Sequence, residues 1–492
     1  MELGSLWVAF VSVLAGFFAF YGLLRRANGW LYERKLGEKR FSLPPGDLGW
    51  PLIGNTWSFL RAFKYDDPDS FISSFVNRYG RTGVYKAFMF GSPSIMLTLP
   101  EPCRQALMDD EAFIPGWPKS TYKLIGRKSF LGTVDDEHKR LRRLTAAPVN
   151  GHEALSVYIE FIEDCVKSTL DKWVGMGQIE FLTEIRRLTF RIIVHIFLST
   201  ESEQMMEGLE KEYTALNYGV RAMAINLPGF AYHKALKARK KLVAILQSAV
   251  NARRQRRANC PPPTKKDMMD ALLDVKYENG KMLTDEEIID ILVMYLNAGH
   301  ESSGHITMWA TVLLQNHPEI HQKAKAEQEE IIRKRPPTQK GLTLKEIRQM
   351  DYLSKVIDET LRLINISSVV FREARKDVNV NGYTIPKGWK VLVWFRSVHM
   401  DSEIYSDPKE FNPSRWDGFT PKAGTYIPFG AGSRLCPGND LAKLEISIFL
   451  HHFLLNYRLE RLNPDSPLRY LPHTRPIDNC LARIRKISSA TM

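Results

Sequence analysis

The chain has 492 residues, of which 44% are hydrophobic and 25% are charged. This is the composition of an ordinary globular protein, and the length is sufficient for a large core or for several domains. The net charge of +13 is compatible with a nucleic acid, an anionic membrane or an acidic protein as partner. The five cysteines lie far apart without a CxxC pair, which excludes a cysteine zinc cluster and a disulfide framework.

The first predicted element is an uncharged apolar helix, LWVAFVSVLAGFFAFYGLL, from Leu6 to Leu24. About 19 helical residues span ~28 Å, which matches the ~30 Å hydrocarbon core of a bilayer. Basic residues follow directly, so the rest of the chain is expected in the cytosol. We therefore predict a single-pass membrane anchor over residues 1–24. A cleaved signal peptide is the alternative, but it requires a basic start and a shorter apolar core.

A basic connector and a proline-rich elbow follow the anchor, over residues 25–55. The elbow reads LPPGDLGWPLIGN at 43–55, and its prolines and glycines exclude a regular helix. Residues 56–492 contain no repeat and no long low-complexity linker. We predict that they form the catalytic part of the protein. A membrane anchor favours a membrane or an acidic protein over nucleic acid as partner.

A long helix is predicted in the middle of the chain, where the sequence reads TDEEIIDILVMYLNAGHESSGHITMWATVLLQNHP. Thr284 and Glu287 have the spacing of a capping box, and Pro318 marks the end. Apolar residues fall on every side, so we expect this helix in the core. Later segments such as VNVNGYTIP and KVLVWF are typical of strands. The predicted fold class is therefore mostly α with small β-sheets.

The centre of this helix is polar, with the sequence NAGHESSGH at 297–305. It does not match the zinc-protease HExxH motif, because His300 and His305 are five residues apart and diverge by roughly 140°. Serines that bond to the preceding turn loosen a helix and admit water. The segment can thus form a notch that seats a small ligand and delivers protons, with a packing groove or a satisfied polar cluster as the alternative. Its polar and small residues are Ala298, Gly299, Glu301, Ser302, Ser303 and Gly304.

A second motif, PFGAGSRLCPGN, precedes the last apolar helix. Its glycines let backbone N–H groups point at the sulfur of Cys436, and the start of the following helix adds positive potential; both favour a thiolate. A lone thiolate on a rigid loop is suited to be an axial ligand of haem iron. An inert buried cysteine is the alternative. The specified positions of the motif are Phe429, Gly430, Gly432, Arg434, Cys436 and Gly438.

With this F-x-x-G-x-R-x-C-x-G pattern matched at every position, the chain resembles the cytochrome P450 family over essentially its whole length. The resemblance implies the cytochrome P450 fold, haem b as cofactor, and Cys436 as the axial ligand of its iron in the loop that holds the haem. Glu359 and Arg362 match the family's helical ExxR pair. One turn apart, they can join a charged network with Arg415; a surface ion pair is the alternative.

AGHES at 298–302 matches the oxygen-binding motif of the family. The resemblance therefore places dioxygen beside Ala298 and Gly299 and assigns proton delivery to Glu301 and Ser302. The family usually has threonine where this chain has Ser302, and serine lacks the methyl group that restricts the rotamer. Basic groups that hold the haem propionates are implied at His138, Arg142, Arg372 and Arg434.

The resemblance also implies that electrons come from NADPH through a flavoprotein reductase. His138 and Arg142 are four residues apart on one stripe of a helix, whereas Lys139 and Arg143 lie on the adjacent stripe and can face outward. That outer basic face is the implied docking surface for the acidic reductase. The implied location is the membrane of the endoplasmic reticulum, with the catalytic domain in the cytosol. The expected partners are this reductase, the membrane, dioxygen and a small molecule.

Stretches outside the shared motifs, such as RRLTAAPVNGHEALS and LPHTRPIDNCLARI, resemble a plant subfamily that oxidises a diterpenoid acid in three successive steps. A rigid tetracyclic acid needs an apolar pocket and a cation or hydrogen-bond donors for its carboxylate. Lys123 and Arg127 are candidate cations, with solvated loop side chains as the alternative. Residues 223–230 are a candidate pocket wall. Other members of the subfamily oxidise triterpenes, which leaves the substrate open.

Three further function classes are weighed against this one. A haem-thiolate isomerase or dehydratase rearranges a hydroperoxide without dioxygen or a reductase, and the acid and alcohol at positions 301 and 302 argue against it. A membrane-anchored binding protein without turnover is disfavoured by the intact oxygen-binding motif. A serine hydrolase is weakened by the lack of a GxSxG nucleophile elbow.

Overall fold

The computed structural model of the chain describes residues 2–199, 203–259, 267–277, 280–471 and 473–487. Cys260 lies outside these ranges. The α-helices are α1 Glu2–Asn28, α2 Thr56–Tyr65, α3 Asp69–Tyr79, α4 Pro100–Met108, α5 Lys119–Ile125, α6 Asp135–Asn150, α7 His152–Gly175, α8 Phe181–Leu198, α9 Glu203–Val220, α10 Ala231–Asn259, α11 Met268–Asp274, α12 Asp285–Asn316, α13 Pro318–Lys334, α14 Leu344–Arg348, α15 Asp351–Ile364, α16 Phe395–His399 and α17 Asn439–Asn456.

The strands are short and fewer residues belong to them than to the helices. They are β1 Val84–Met89, β2 Ser92–Leu97, β3 Phe113–Pro115, β4 Ile179–Glu180, β5 Val369–Ala374, β6 Val378–Val380, β7 Tyr383–Ile385, β8 Lys390–Trp394, β9 Tyr457–Arg461, β10 Leu468–Arg469, β11 Arg475–Pro476 and β12 Leu481–Lys486. The predicted class, mostly α with small β-sheets, is confirmed.

The N-terminal helix α1 continues into a π-helical turn at Gly29–Glu33 and a 3-10 segment at Arg34–Ser42 that is kinked at Gly37. The stretch Phe10–Ser42 contains a window long and apolar enough to cross a membrane, and that window is not buried in the protein. This helix fits the predicted membrane anchor. Residues 43–55 contain no regular helix, as their prolines and glycines require.

The chain forms two compact units. The first comprises Met1–Gly116, Ser367–Asp401 and Lys422–Ile427. Its five-stranded sheet has the order β1-β2-β8-β5-β3, in which only β2 and β8 run parallel. The hairpin β6–β7 turns at Asn381 and Gly382, whose φ values of 51° and 83° are those of the type I′ turn that an Asn-Gly pair favours.

The second unit comprises Trp117–Ile366, Ser402–Pro421 and Pro428–Met492. The long helix α12 lies at its centre and contacts α8, α10, α15 and α17. Its predicted start is confirmed, because Thr284 and Glu287 form a capping box. Most residues of α12 are buried, as the apolar residues on every side predict. Two small sheets, β4-β12-β9 and β10-β11, complete this unit.

An ionic network centred on the fully buried Glu359 and Arg362 joins α15 to the segment that follows Ser402. Glu359 accepts hydrogen bonds from Arg362 Nε at 2.9 Å and Nη2 at 2.8 Å, from Arg415 Nε at 2.9 Å and from Trp416 Nε1 at 3.2 Å. Arg362 also donates to the carbonyl of Pro408 at 2.8 Å. Because one carboxylate holds two guanidinium groups, the network fixes the chain ahead of the cysteine loop onto α15.

Helix α17 carries a buried carboxyl group, Glu445, beside Ser303 of α12. Burial raises the pKa of Glu445 to about 8, because the charged form is desolvated, while Ser303 opposes this shift. Glu445 is therefore a neutral carboxylic acid at pH 7. A neutral acid at this position avoids the large free-energy penalty of an unpaired buried carboxylate.

Glu359→Gln should destabilise the protein by about 3–5 kcal/mol, because Arg362 and Arg415 would keep their buried charges without a counter-charge. The midpoint and free energy of urea unfolding of the haem-loaded protein measure this effect. Glu460→Gln removes the exposed ion pair with Arg485 and is the matched control, for which we expect little change. Equal losses in the two variants would contradict a special role for the buried network.

Glu445→Gln should stabilise the protein at neutral pH. Between the ordinary glutamate pKa of 4.5 and the folded value of about 8, the folded state binds one more proton than the unfolded state, so stability falls as pH rises. Glutamine carries no such proton, and the variant should gain up to about 3 kcal/mol at pH 7. Thermal unfolding at pH 5 and pH 7.5 tests this, since the gain must shrink at pH 5. A gain that is independent of pH would contradict the assignment.

Candidate active site

The cysteine loop is closed by a hydrogen bond from the N–H of Cys436 to the carbonyl of Phe429, at 2.9 Å. Gly430 and Gly432 have φ values of 78° and 70°, which glycine adopts without strain. Cys436 is partly exposed, whereas the other described cysteines are buried: Cys103, Cys165 and Cys480. The sulfur of Cys436 can therefore be reached by a ligand.

The sequence predicts a thiolate at Cys436, but in the polypeptide alone this residue is a neutral thiol. Burial is the largest influence and raises the pKa of the thiol; the N–H of Gly438 and the charge of Arg142 lower it by less. The expected positive surroundings are thus present, but they do not outweigh desolvation. A thiol that coordinates a metal is deprotonated outright, so the thiolate expected at Cys436 requires the metal.

Helices α6 and α12 meet the cysteine loop near Tyr295. The hydroxyl of Tyr295 lies 3.0 Å from Oγ1 of Thr145. Burial raises the pKa of Tyr295 to about 12, and the charges of Arg142 and Cys436 also act on it. Cys436 and Arg142 therefore lie near the part of α12 that is one turn before Ala298.

The predicted notch lies at the middle of α12. Ser302 Oγ donates to the carbonyl of Ala298 at 3.0 Å, and Ser303 Oγ donates to that of Gly299 at 3.1 Å. Ala298 is exposed and Ser302 partly exposed, although the rest of the helix is mostly buried. On another side of α12, a Cβ on Gly299 would lie only 3.2 Å from Ile193 of α8. The helix is thus packed tightly against α8 and borders a cleft at Ala298.

Glu301 lies on a different side of α12 and forms a buried ion pair with Arg186 of α8. Burial alone would raise the pKa of Glu301, but Arg186 together with His300 and His305 lowers it well below the usual range. Glu301 is therefore a carboxylate at neutral pH. A proton relay that uses it requires its pair with Arg186 to open.

Three of the four basic residues expected around the haem lie in the second unit. Arg434 donates to the carbonyls of Phe130 and Thr133, each at 3.0 Å, and thereby ties the cysteine loop to the start of α6. His138 is buried and directs its ring edge-to-face against Phe130. Arg142 lies near Cys436. The fourth, Arg372, is a buried residue of β5 in the first unit.

Other cations predicted from the sequence lie at the surface. Lys139 and Arg143 on α6 are exposed, while His138 is buried and Arg142 half-buried, so the two stripes of this helix face different environments as predicted. Lys123 and Arg127, the candidate partners for a substrate carboxylate, are also exposed.

The residues present fit a haem. An accessible thiol lies near a guanidinium group, Arg142, and near α12. Small residues leave a cleft at the polar centre of that helix. A thiolate ligand with adjacent cations for carboxylate groups is the donor chemistry that such a cofactor requires.

Sequence motifs did not identify several charged residues around the site. Arg186 on α8, Arg221 after α9, and His473 and Arg475 near β11 all approach Glu301 or its neighbours. They are separated by long stretches of chain, so no local spacing links them. Glu445 was missed because a lone acid in an apolar helix carries no specific signal.

Comparisons with known proteins agree with the predicted fold. The sequence profile of the family described as Cytochrome P450 matches residues 44–476. The chain is 66% identical to ent-kaurenoic acid oxidase 2 of Arabidopsis thaliana over 99% of both chains. It is 54% identical to a 7,8-epoxymelianol synthase of Ailanthus altissima over 99% of this chain and 98% of that one. Its structure is similar to that of retinoic-acid-bound cyanobacterial CYP120A1, with a TM-score of 0.80 and 26% identity over 90% of this chain and 99% of the other. The chain therefore belongs to the cytochrome P450 family of haem-dependent monooxygenases.

Proposed function

We propose that this enzyme oxidises ent-kaurenoic acid in successive steps, at carbons 7 and 6 of its B ring, to gibberellin A(12). The observation that carries this proposal is the 66% identity to an ent-kaurenoic acid oxidase over 99% of both chains. Identity to the 7,8-epoxymelianol synthase is lower, at 54%. The function is therefore in gibberellin biosynthesis, with dioxygen as the oxidant.

In this proposal the cysteine loop and the neighbouring cations would hold the cofactor. The sulfur of Cys436, in the loop formed by Phe429, Gly430 and Gly438, would bind the haem iron, and the haem would supply dioxygen activation. The propionates pair with basic residues: His138, Arg142, Arg372 and Arg434. Metal binding would require the deprotonated sulfur of Cys436, and the N–H of Gly438, which lowers the pKa of this thiol, would stabilise the negative charge.

In this proposal the polar notch of α12 delivers protons to the bound dioxygen. Dioxygen binds beside Ala298 and Gly299, where the helix borders the cleft. The hydroxyl of Ser302 donates to the carbonyl of Ala298 and can turn to pass a proton into the cleft. Glu301 is held as a carboxylate by Arg186, so it accepts a proton and hands it on through water only when that pair opens.

In this proposal the enzyme is bound to a membrane and receives its electrons from a partner protein. The first apolar helix anchors the chain in the endoplasmic reticulum membrane through residues 1–24, the connector and elbow span 25–55, and residues 56–492 act in the cytosol. NADPH-derived electrons arrive from a flavoprotein reductase that docks on the exposed basic face with Lys139 and Arg143. This face is complementary in charge to an acidic partner.

Membranes that contain this protein and the reductase should convert ent-kaurenoic acid to gibberellin A(12) when NADPH and dioxygen are supplied. Mass spectrometry of the products measures the conversion. Cys436→Ser is the matched control, which should lose both the reduced carbon-monoxide band and the conversion because serine does not supply the thiolate. Unchanged acid beside an oxidised triterpene would support the alternative substrate. Unchanged acid together with reductase-independent rearrangement of a fatty-acid hydroperoxide would indicate an isomerase or dehydratase.

Ser302→Ala should keep haem and substrate binding but release more peroxide for each NADPH consumed, because the cleft loses its hydroxyl. Product and peroxide formed per NADPH measure this coupling. Ser303→Ala is the matched control, since Ser303 makes the same type of bond to Gly299 on a buried face of the helix. Ser302→Thr should retain coupling. Equal coupling in Ser302→Ala and in the unmodified enzyme would refute the role of this hydroxyl.

A further inference from the structure

A cluster of charged and polar residues surrounds Glu301 in the second unit. Arg186 pairs with it directly, and the charges of Glu301 and Arg186 also act on the pKa of Arg221. On the far side, Arg475 donates to the hydroxyl of Tyr218 at 3.1 Å. The histidines of the cluster are His300, His305 and His473.

The cluster carries more positive than negative charge. Burial lowers the pKa of His305 to about 4 and that of His473 well below its ordinary value, so these histidines are neutral at pH 7. Glu301 is the carboxylate whose charge acts on Arg221 and on all three histidines. Three guanidinium groups belong to the same cluster: Arg186, Arg221 and Arg475. A surplus of buried positive charge favours the binding of an anion.

Arg221 is the guanidinium group best placed to meet such an anion. Surrounding protein atoms desolvate the guanidinium group of Arg221 and lower its pKa. The residue is nevertheless exposed, so it lies among protein atoms and also borders an open space. Arg221 donates a hydrogen bond to the neutral side chain of Asn217, and it forms no ion pair within the described ranges. Arg186, by contrast, is already paired with Glu301.

Unpaired polar atoms occur in the same cluster. Within the described residues, Nε of Arg186 and Nε2 of His305 and of His473 have no hydrogen-bond partner although they are buried. Buried polar atoms are rarely left unpaired, because each carries a desolvation penalty. A polar group of a ligand, with associated water, would satisfy them.

The chemistry of the proposed substrate sets where its carboxylate must lie. Carbons 6 and 7 of ent-kaurenoic acid are only a few bonds from the carboxyl carbon, and the ring system between them is rigid. The cation that binds the carboxylate must therefore lie close to the oxygen-binding notch. Arg221 is the candidate for this position, because it lies near Glu301, at the level of the notch along α12, and because both Arg221 and Ala298 are exposed.

We propose that Arg221 binds the carboxylate of the diterpenoid acid and so selects acids over neutral terpenoids. This inference rests on the proposed function and adds to it the residue that recognises the substrate. A charge-assisted hydrogen bond from Arg221 would orient the B ring toward the notch. In this proposal Arg221 pairs with the carboxylate in place of Lys123 and Arg127, the two candidates from the sequence.

Substrate-induced spectral titration of the haem-loaded enzyme tests the proposal with ent-kaurenoic acid and its methyl ester as probes. Arg221→Gln should raise the Kd for the acid by about 10- to 100-fold, the loss expected for a hydrogen bond to a charged group. The Kd for the neutral ester should stay within about twofold of the unmodified enzyme, since the ester has no charge to pair. Arg221→Lys should recover part of the affinity for the acid.

Lys123→Gln and Arg127→Gln are the matched controls, and both should bind the acid like the unmodified enzyme. The assignment is overturned if Arg221→Gln binds the acid normally, if it weakens acid and ester equally, or if a control variant shows the loss instead. In these outcomes the unmodified enzyme still binds and oxidises the acid. An unmodified enzyme that ignores the acid would overturn the proposed function, and the assignment of Arg221 with it.

Discussion

Helix α12 is buried along most of its length, so the polar groups at its centre have to be paired inside the protein. Glu301 is paired by Arg186, the carbonyl of His300 accepts from Thr189, and the serine hydroxyls bond to the preceding turn of their own helix. These bonds leave one face, at Ala298, open to a cleft. The position of the notch is therefore a consequence of how the remaining faces are satisfied.

The same constraint acts on charge. Buried histidines around Glu301 become neutral because the charged form would be desolvated, whereas the arginines remain charged and exceed the carboxylates in number. A substrate that brings its own carboxylate fits this imbalance better than a neutral one. Charge would then contribute to substrate choice beside the shape of the apolar walls, and it would do so close to the reacting carbons.

At the cysteine loop, burial and the surrounding polar groups have opposite effects on the charge of the sulfur. Its glycines with positive φ, the N–H of Gly438 and the charge of Arg142 prepare a site for negative sulfur. Burial opposes them strongly enough to keep the isolated thiol protonated. The polypeptide thus positions Cys436 and supplies the groups that stabilise a negative sulfur, while the charge state of that sulfur depends on the metal. The buried network around Glu359 fixes the neighbouring chain, and it would make this loop rigid before any cofactor binds.

Local patterns in the sequence were sufficient for the class, the capped long helix with its polar centre, the strands in VNVNGYTIP and KVLVWF, and the glycines of the cysteine loop, since each depends on residues a few positions apart. They did not reveal that Glu301 is held by Arg186, that Glu445 is a neutral acid, or that Arg221 and Arg475 approach the same cluster. Those facts depend on which distant segments meet and on how much water is excluded between them. Spacing along the chain encodes neither quantity, so only the tertiary structure decided the charge state of each buried group and the identity of its partner.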